Sequence, residues 1–177
     1  LAYTALTAGA WLGGGILAGS PILVGSEPSL GKSTLLFNVT GALADPRLAA
    51  SQRDGRSPET RRVATPLNER RPILYVTSEE SARQTRLRAS RRGIDNPNLL
   101  VLAETNVERI LHQIGKVSPS VVIIDSIQMI YKPDVPAAPG SVTQLRDGGM
   151  DRVYLAKSTG IAVICVGHVT NAGTLAG

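Results

Sequence analysis

The chain has 177 residues, 42% of them apolar and 19% charged, with 18 Gly and 11 Pro. This composition describes one globular domain with enough apolar surface for a core, and it excludes collagen, coiled coil and wholesale disorder. Lys plus Arg exceed Asp plus Glu by 19 to 14, and the resulting +5 suits an anionic partner without requiring one.

The first 26 residues carry no charge, but Gly9, Gly13, Gly14, Gly15, Gly19 and Pro21 interrupt every apolar run. Neither a membrane span nor a signal peptide is expected from them. Five runs rich in Val, Ile and Leu follow: Pro21–Gly25, Ile73–Thr77, Leu99–Leu102, Val121–Asp125 and Ile161–Gly167. Each is nearly continuous, as strands covered on both faces are. Helical patterns lie between them at Lys32–Ala44, Ser81–Arg92, Asn106–Val117 and roughly Val142–Ser158. Strand and helix in alternation predict an α/β fold, a mostly parallel sheet with helices on both faces and ligands at the carboxyl ends of its strands.

Two segments break the rhythm. Arg47–Arg71 is polar, carries Pro58 and Pro66, and reads as a surface insertion. Lys132–Gly140, with Pro133, Pro136 and Pro139, reads as a loop that no helix can cross. Cys165 stands alone in an apolar run, which predicts a buried, inert thiol and, by default, a reducing, cytoplasmic setting. A chain that begins at Leu1 and stops in a Gly-rich stretch is expected to be part of a longer one.

After the strand Ile22-Leu23-Val24 comes Gly25-Ser26-Glu27-Pro28-Ser29-Leu30-Gly31-Lys32-Ser33-Thr34, and then a helix. A phosphate chain needs inward N–H groups, a helix N-terminus, an ammonium and a hydroxyl for the metal. The amides of Ser29, Leu30, Gly31, Lys32, Ser33 and Thr34, the Lys32 ammonium and the Ser33 hydroxyl supply these in the order of a P-loop. The pattern asks for Gly where Ser26 stands, with Gly25 one step earlier.

Val121-Val122-Ile123-Ile124-Asp125 has the form of a Walker B strand, whose terminal Asp125 would hold the water shell of Mg²⁺. Strands also end in Asp for turn chemistry alone. The second strand ends in Ser78-Glu79-Glu80. One carboxylate there can orient or deprotonate an attacking water, and Glu79 is favoured over Glu80. The same residues also suit a helix N-terminus with Ser78 as its cap. His168, at the end of the fifth run, is where a γ-phosphate sensor would sit, although a lone His is commonly structural.

Together these blocks resemble the RadA/Sms family of bacterial DNA-repair ATPases, which are RecA-like P-loop proteins. The likeness is carried by Leu12-Gly13-Gly14-Gly15-Ile16 with Gly19-Ser20, the P-loop, Tyr75-Val76 with Glu79-Glu80-Ser81, Arg83-Gln84 with Leu87-Arg88-Ala89, Ile124-Asp125-Ser126-Ile127-Gln128, Ala138 to Val142, Gln144 with Arg146, and Gly167-His168-Val169-Thr170. It implies a RecA-like ATPase domain over 1–177 using ATP and Mg²⁺. It also implies a homo-oligomeric ring, a hexamer, that binds single-stranded DNA and promotes branch migration. Carried over by position, Lys32, Ser33 and Thr34 serve phosphates and Mg²⁺, Asp125 is the Walker B acid, Glu79 is the catalytic glutamate, and His168 couples the nucleotide to a DNA loop. The DNA-facing loops correspond to Lys132–Gly140 and Thr170–Gly177, which makes Lys132, Thr170 and Asn171 candidate contacts.

The sequence departs from the family where Ser26-Glu27-Pro28-Ser29 replaces Gly-Asp-Pro-Gly, where Ser78 replaces a Gly, and where Asn171-Ala172-Gly173 replaces Lys-Glu-Gly. With few aromatics for base stacking, any grip on DNA must be electrostatic. The 12 arginines between Arg47 and Arg92 suit either DNA contact or a solvated face, and Arg83, Arg86 and Arg88 also suit a subunit interface. Two other readings stand beside the motor: a KaiC-like regulatory ATPase, and a degenerate nucleotide-binding module with little turnover.

Overall fold

The computed structural model describes residues 16, 18–26, 36–41, 72–136, 141 and 158–168. Five strands, β1 (Pro21–Ser26), β2 (Ile73–Thr77), β3 (Leu99–Ala103), β4 (Val121–Asp125) and β5 (Ala162–His168), form one sheet in the order β1-β5-β4-β2-β3. Every pairing is parallel. All five strand ends reached toward the C-terminus therefore lie along one edge. Each strand coincides with a predicted apolar run to within a residue at either end.

Among the described residues, helices follow β1, β2 and β3. Residues 36–41 are helical and follow β1. The helix α1 (Ala82–Ser90) follows β2, and α2 (Val107–Val117) follows β3. The Ser81 hydroxyl accepts from Gln84 N while Gln84 Oε1 accepts from Ser81 N, a reciprocal cap that fixes where α1 starts. Ser81, not Ser78, is thus the cap, and the two glutamates lie ahead of the helix rather than in its first turn. Ser78 is drawn off because its hydroxyl bonds the end of β4 instead. Asn106 caps α2 through bonds from Glu108 N and Arg109 N. Val107, Ile110 and Ile114 then repeat at helical spacing and are buried.

Two apolar layers result. On one face Leu74, Val76, Val122, Ile124, Val163 and Cys165 pack with Val107, Ile110 and Ile114 of α2. On the other, Ile73, Tyr75, Val121, Ile123, Ile164 and Val166 pack with Leu36 and Phe37 of the 36–41 helix and with Ala89 of α1. A sheet sandwiched in this way needs apolar residues at every strand position, which is why β2 is buried throughout. Cys165 is buried. A 3-10 turn over Ile127–Met129 leaves β4, and Tyr131 then bonds across to Thr105 and Val107 at the start of α2. No helix among the described residues is long and apolar enough to cross a membrane. The Arg-rich 47–71 segment and nearly all of the predicted 142–158 helix lie outside the described residues.

Candidate active site at the carboxyl edge of the sheet

β5 lies between β1 and β4, with Ser26 in register with His168 and Asp125 in register with Val166. On its other side β4 meets β2, where Asp125 pairs with Thr77. The end of the strand that leads into the Gly31-Lys32-Ser33-Thr34 turn thus shares an edge with His168, Asp125 and the Glu79-Glu80 pair. Ser29, Leu30, Gly31, Lys32, Ser33 and Thr34 lie outside the described residues, as do Thr170 and Asn171. His168 is placed by its backbone as the last residue of β5. Lys132 is half-buried in the segment that leaves β4 and crosses toward α2.

The ends of β2 and β4 are tied together by the residues that follow them. Ser78 N–H donates to the Asp125 carbonyl at 2.9 Å. Ser78 Oγ accepts from Ser126 N and donates to the Ser126 carbonyl, both at 2.9 Å. The Asp125–Ser126 peptide is cis. Ser126 Oγ donates to Glu79 Oε1 at 2.6 Å, which holds the first glutamate beside the strand that carries Asp125. Glu80 is engaged elsewhere: its carboxylate pairs with the Arg88 guanidinium of α1, and its backbone N–H donates to the Thr77 hydroxyl. The structure therefore gives the two glutamates different partners.

Tyr75 was not singled out by the sequence as a site residue. Its hydroxyl donates to Asp125 Oδ2 at 2.6 Å, the length of a hydrogen bond to a charged oxygen. Its ring is 1% exposed and stacks on Phe37, with centroids 5.0 Å apart and planes 7° from parallel. Arg88 and Arg92 lie over the Phe37 ring at 5.7 and 5.9 Å. Burial first, and then the Asp125 charge, push the Tyr75 phenol far above its usual range, so it remains a donor throughout. A lone tyrosine in an aliphatic strand, two residues before the strand's end, was the available signal. Reading it required knowing that β2 and β4 are neighbours.

A half-buried carboxylate at a strand tip, with a second one a serine away, provides hard oxygen donors that suit Mg²⁺. Among the described residues no group of three or more His, Cys, Asp or Glu could hold a metal by itself. A cleft of about 290 Å³ lined by Leu102, Glu104, Glu108, Arg109, His112 and Gln113 lies beside β3 and α2. In the sheet, β2 stands between β3 and the strand that carries Asp125.

A parallel sheet with a phosphate-loop sequence after its first strand and an acid closing the fourth defines a class, and the family comparison agrees. The family model described as "AAA domain" matches residues 4–174, and the chain belongs to that family. It is 43% identical over 166 residues to the DNA repair protein RadA of Halalkalibacterium halodurans, covering 94% of this chain and 31% of that protein. The RadA proteins of Bacillus subtilis and Streptococcus pneumoniae are 42% and 39% identical over the same length, with 31% and 34% of each covered. The RadA/Sms likeness read from the motifs thus extends over nearly all of this chain. The chain spans about a third of the length of these curated relatives.

Proposed function

We propose that this chain is the ATP-hydrolysing, RecA-like core of a DNA-repair motor of the RadA/Sms type. In this reading it is a single domain over 1–177. It works in a homo-oligomeric ring, a hexamer, that binds single-stranded DNA and promotes branch migration. The observation that carries the reading is the contact chain from Phe37 through Tyr75 to Asp125. Phe37 belongs to the helix at 36–41, which follows Gly31-Lys32-Ser33-Thr34 closely in the sequence, so the stack supports a reading in which that motif and the acidic strand end serve one site.

In this reading the Lys32 ammonium and the amides of residues 29–34 bind the triphosphate, while Ser33 and Asp125 hold Mg²⁺. When bound, the metal would supply neutralisation of the triphosphate charge. Glu79 orients the attacking water and accepts its proton, and its bond from Ser126 keeps it beside Asp125. Glu80 instead pairs with Arg88 in the last turn of α1, so Glu79 remains the favoured base. His168 ends the strand between the loop strand and the acid strand, a position suited to sensing the γ-phosphate. Lys132 lies in a segment that departs from the same edge, which supports a DNA contact there together with Thr170 and Asn171.

The test is ATP hydrolysis with and without single-stranded DNA. Turnover is expected to rise with DNA and to vanish in Lys32→Ala. Glu79→Gln is expected to keep ATP binding while slowing turnover about 10²- to 10⁴-fold. If Glu80→Gln is the slow variant, the assignment of the base is wrong. Turnover indifferent to DNA would favour the KaiC-like regulator, and tight binding without turnover would favour the degenerate module.

A further inference from the structure

Resting on the reading of Asp125 as the metal-holding acid, we infer that Tyr75 is a positioning residue for that acid, holding its carboxylate in the orientation that Mg²⁺ requires. A carboxylate is planar, so pinning one oxygen fixes the other. The Tyr75 hydroxyl pins Oδ2 at 2.6 Å. Mg²⁺ tolerates little departure from octahedral geometry, so the orientation of its few protein oxygens matters more than it would for Ca²⁺. Outer partners that orient a metal-holding group are worth about 10- to 100-fold in affinity or activity.

The tyrosine can do this because it is itself immobile. It is 1% exposed, within a strand buried along its whole length. One face of its ring lies on Phe37, 7° from parallel. Phe37 is covered in turn by Arg88, whose guanidinium is held by Glu80. A bare phenylalanine would fill the same apolar layer equally well and avoid burying a hydroxyl, which is costly without a partner. The hydroxyl therefore has its use at Asp125. Through the stack, the helix that follows the phosphate turn and the acid across the sheet are set by a single rigid side chain.

The experiment is a Mg²⁺ titration of fluorescent ATP-analogue binding, read against binding in EDTA, for the parent protein, Tyr75→Phe, Asp125→Asn and the double variant. Tyr75→Phe keeps the ring and its stack, so metal-free binding is expected to be unchanged. The Mg²⁺ concentration at half-maximal binding is expected to rise about tenfold. In the Asp125→Asn background the same substitution should add nothing further, because the two side chains act as one unit. Equal losses with and without Mg²⁺ would assign Tyr75 to packing alone and overturn the inference, as would an unshifted midpoint or an additive shift in the double variant. If Asp125→Asn itself leaves the Mg²⁺ dependence intact, the reading of the site falls and the inference with it. Should Tyr75→Phe fail to fold, Phe37→Leu keeps the hydroxyl but frees the ring. It is expected to move the midpoint in the same direction by less, and no movement would again overturn the inference.

Discussion

Glu104 follows β3 and turns its carboxylate back onto the chain that leads into α2. Its Oε1 accepts from Asn106 N at 3.0 Å and from Thr105 N at 2.9 Å, and Oε2 lies 3.6 Å from Arg109. These donors, Asn106 foremost and Arg109 last, hold its carboxyl below the usual range against the opposing effect of burial. A carboxyl depressed on folding stabilises the native state fully above its unfolded value, near 4.5, and loses that contribution as pH falls through the folded value. Glu104→Gln is expected to cost about 0.5–1 kcal/mol at pH 7 in urea unfolding, with the difference from the parent closing in acid. A difference that persists undiminished in acid would show that the charge is not what matters. At the same scale, the placement of Glu79, Glu80 and Asp125 at strand ends was legible because acids at the ends of apolar runs are conspicuous. Tyr75 and Ser126 were not. Both act by reaching a neighbouring strand or its end, and a side chain's partner across a sheet is invisible until the strand order is known.

The elements owe their boundaries to local chemistry. α2 begins at an Asn106 cap and ends at Ser118, whose φ of 47° and ψ of 55° put a non-glycine residue in the left-handed region. That conformation costs an L-residue about 1–2 kcal/mol, partly offset in a glycine variant by the larger entropy of its unfolded chain. Ser118 Oγ offers little in return, reaching the Gly115 carbonyl only at 3.4 Å. Ser118→Gly is therefore expected to stabilise by about 0.5 kcal/mol and raise the melting temperature by about 1–2 °C; a lower melting temperature would mean that the serine's contacts outweigh its strain. α2 was readable to the residue at its C-terminal end because its apolar spacing and its cap agree. α1 was less so, since only Thr85 and Ala89 of its residues are buried and its start depends on which of two nearby serines caps it. Ser78 met the sequence criterion for a cap, but the end of β4 offered its hydroxyl a different set of partners.

At the scale of the molecule, stability resides in the two apolar layers on either side of the sheet. Ile123, fully buried in the layer that also holds Tyr75 and Phe37, is a sensitive point. Ile123→Ala is expected to cost about 3 kcal/mol by denaturant unfolding, the usual range for a truncated core aliphatic. A loss below about 1 kcal/mol would mean that the layer closes around the gap. The alternation of strands and helices gave away the parallel sheet, and nearly every strand boundary followed from the length of an apolar run. The order of the strands did not follow, because neighbours in a parallel sheet are chosen by crossover connections rather than by anything local to a strand. That order carries a cost in time. β5 reaches the ribosome exit last of the five strands, yet it is the plank that bridges β1 to β4, with Pro21 meeting Val163. Until it emerges, β1 and the β4-β2-β3 group belong to separate fragments, each with a bare strand edge open to wrong partners. Closing so long a loop makes assembly slow and leaves the carboxyl edge between β1 and β4 as the last part of this sheet to be completed.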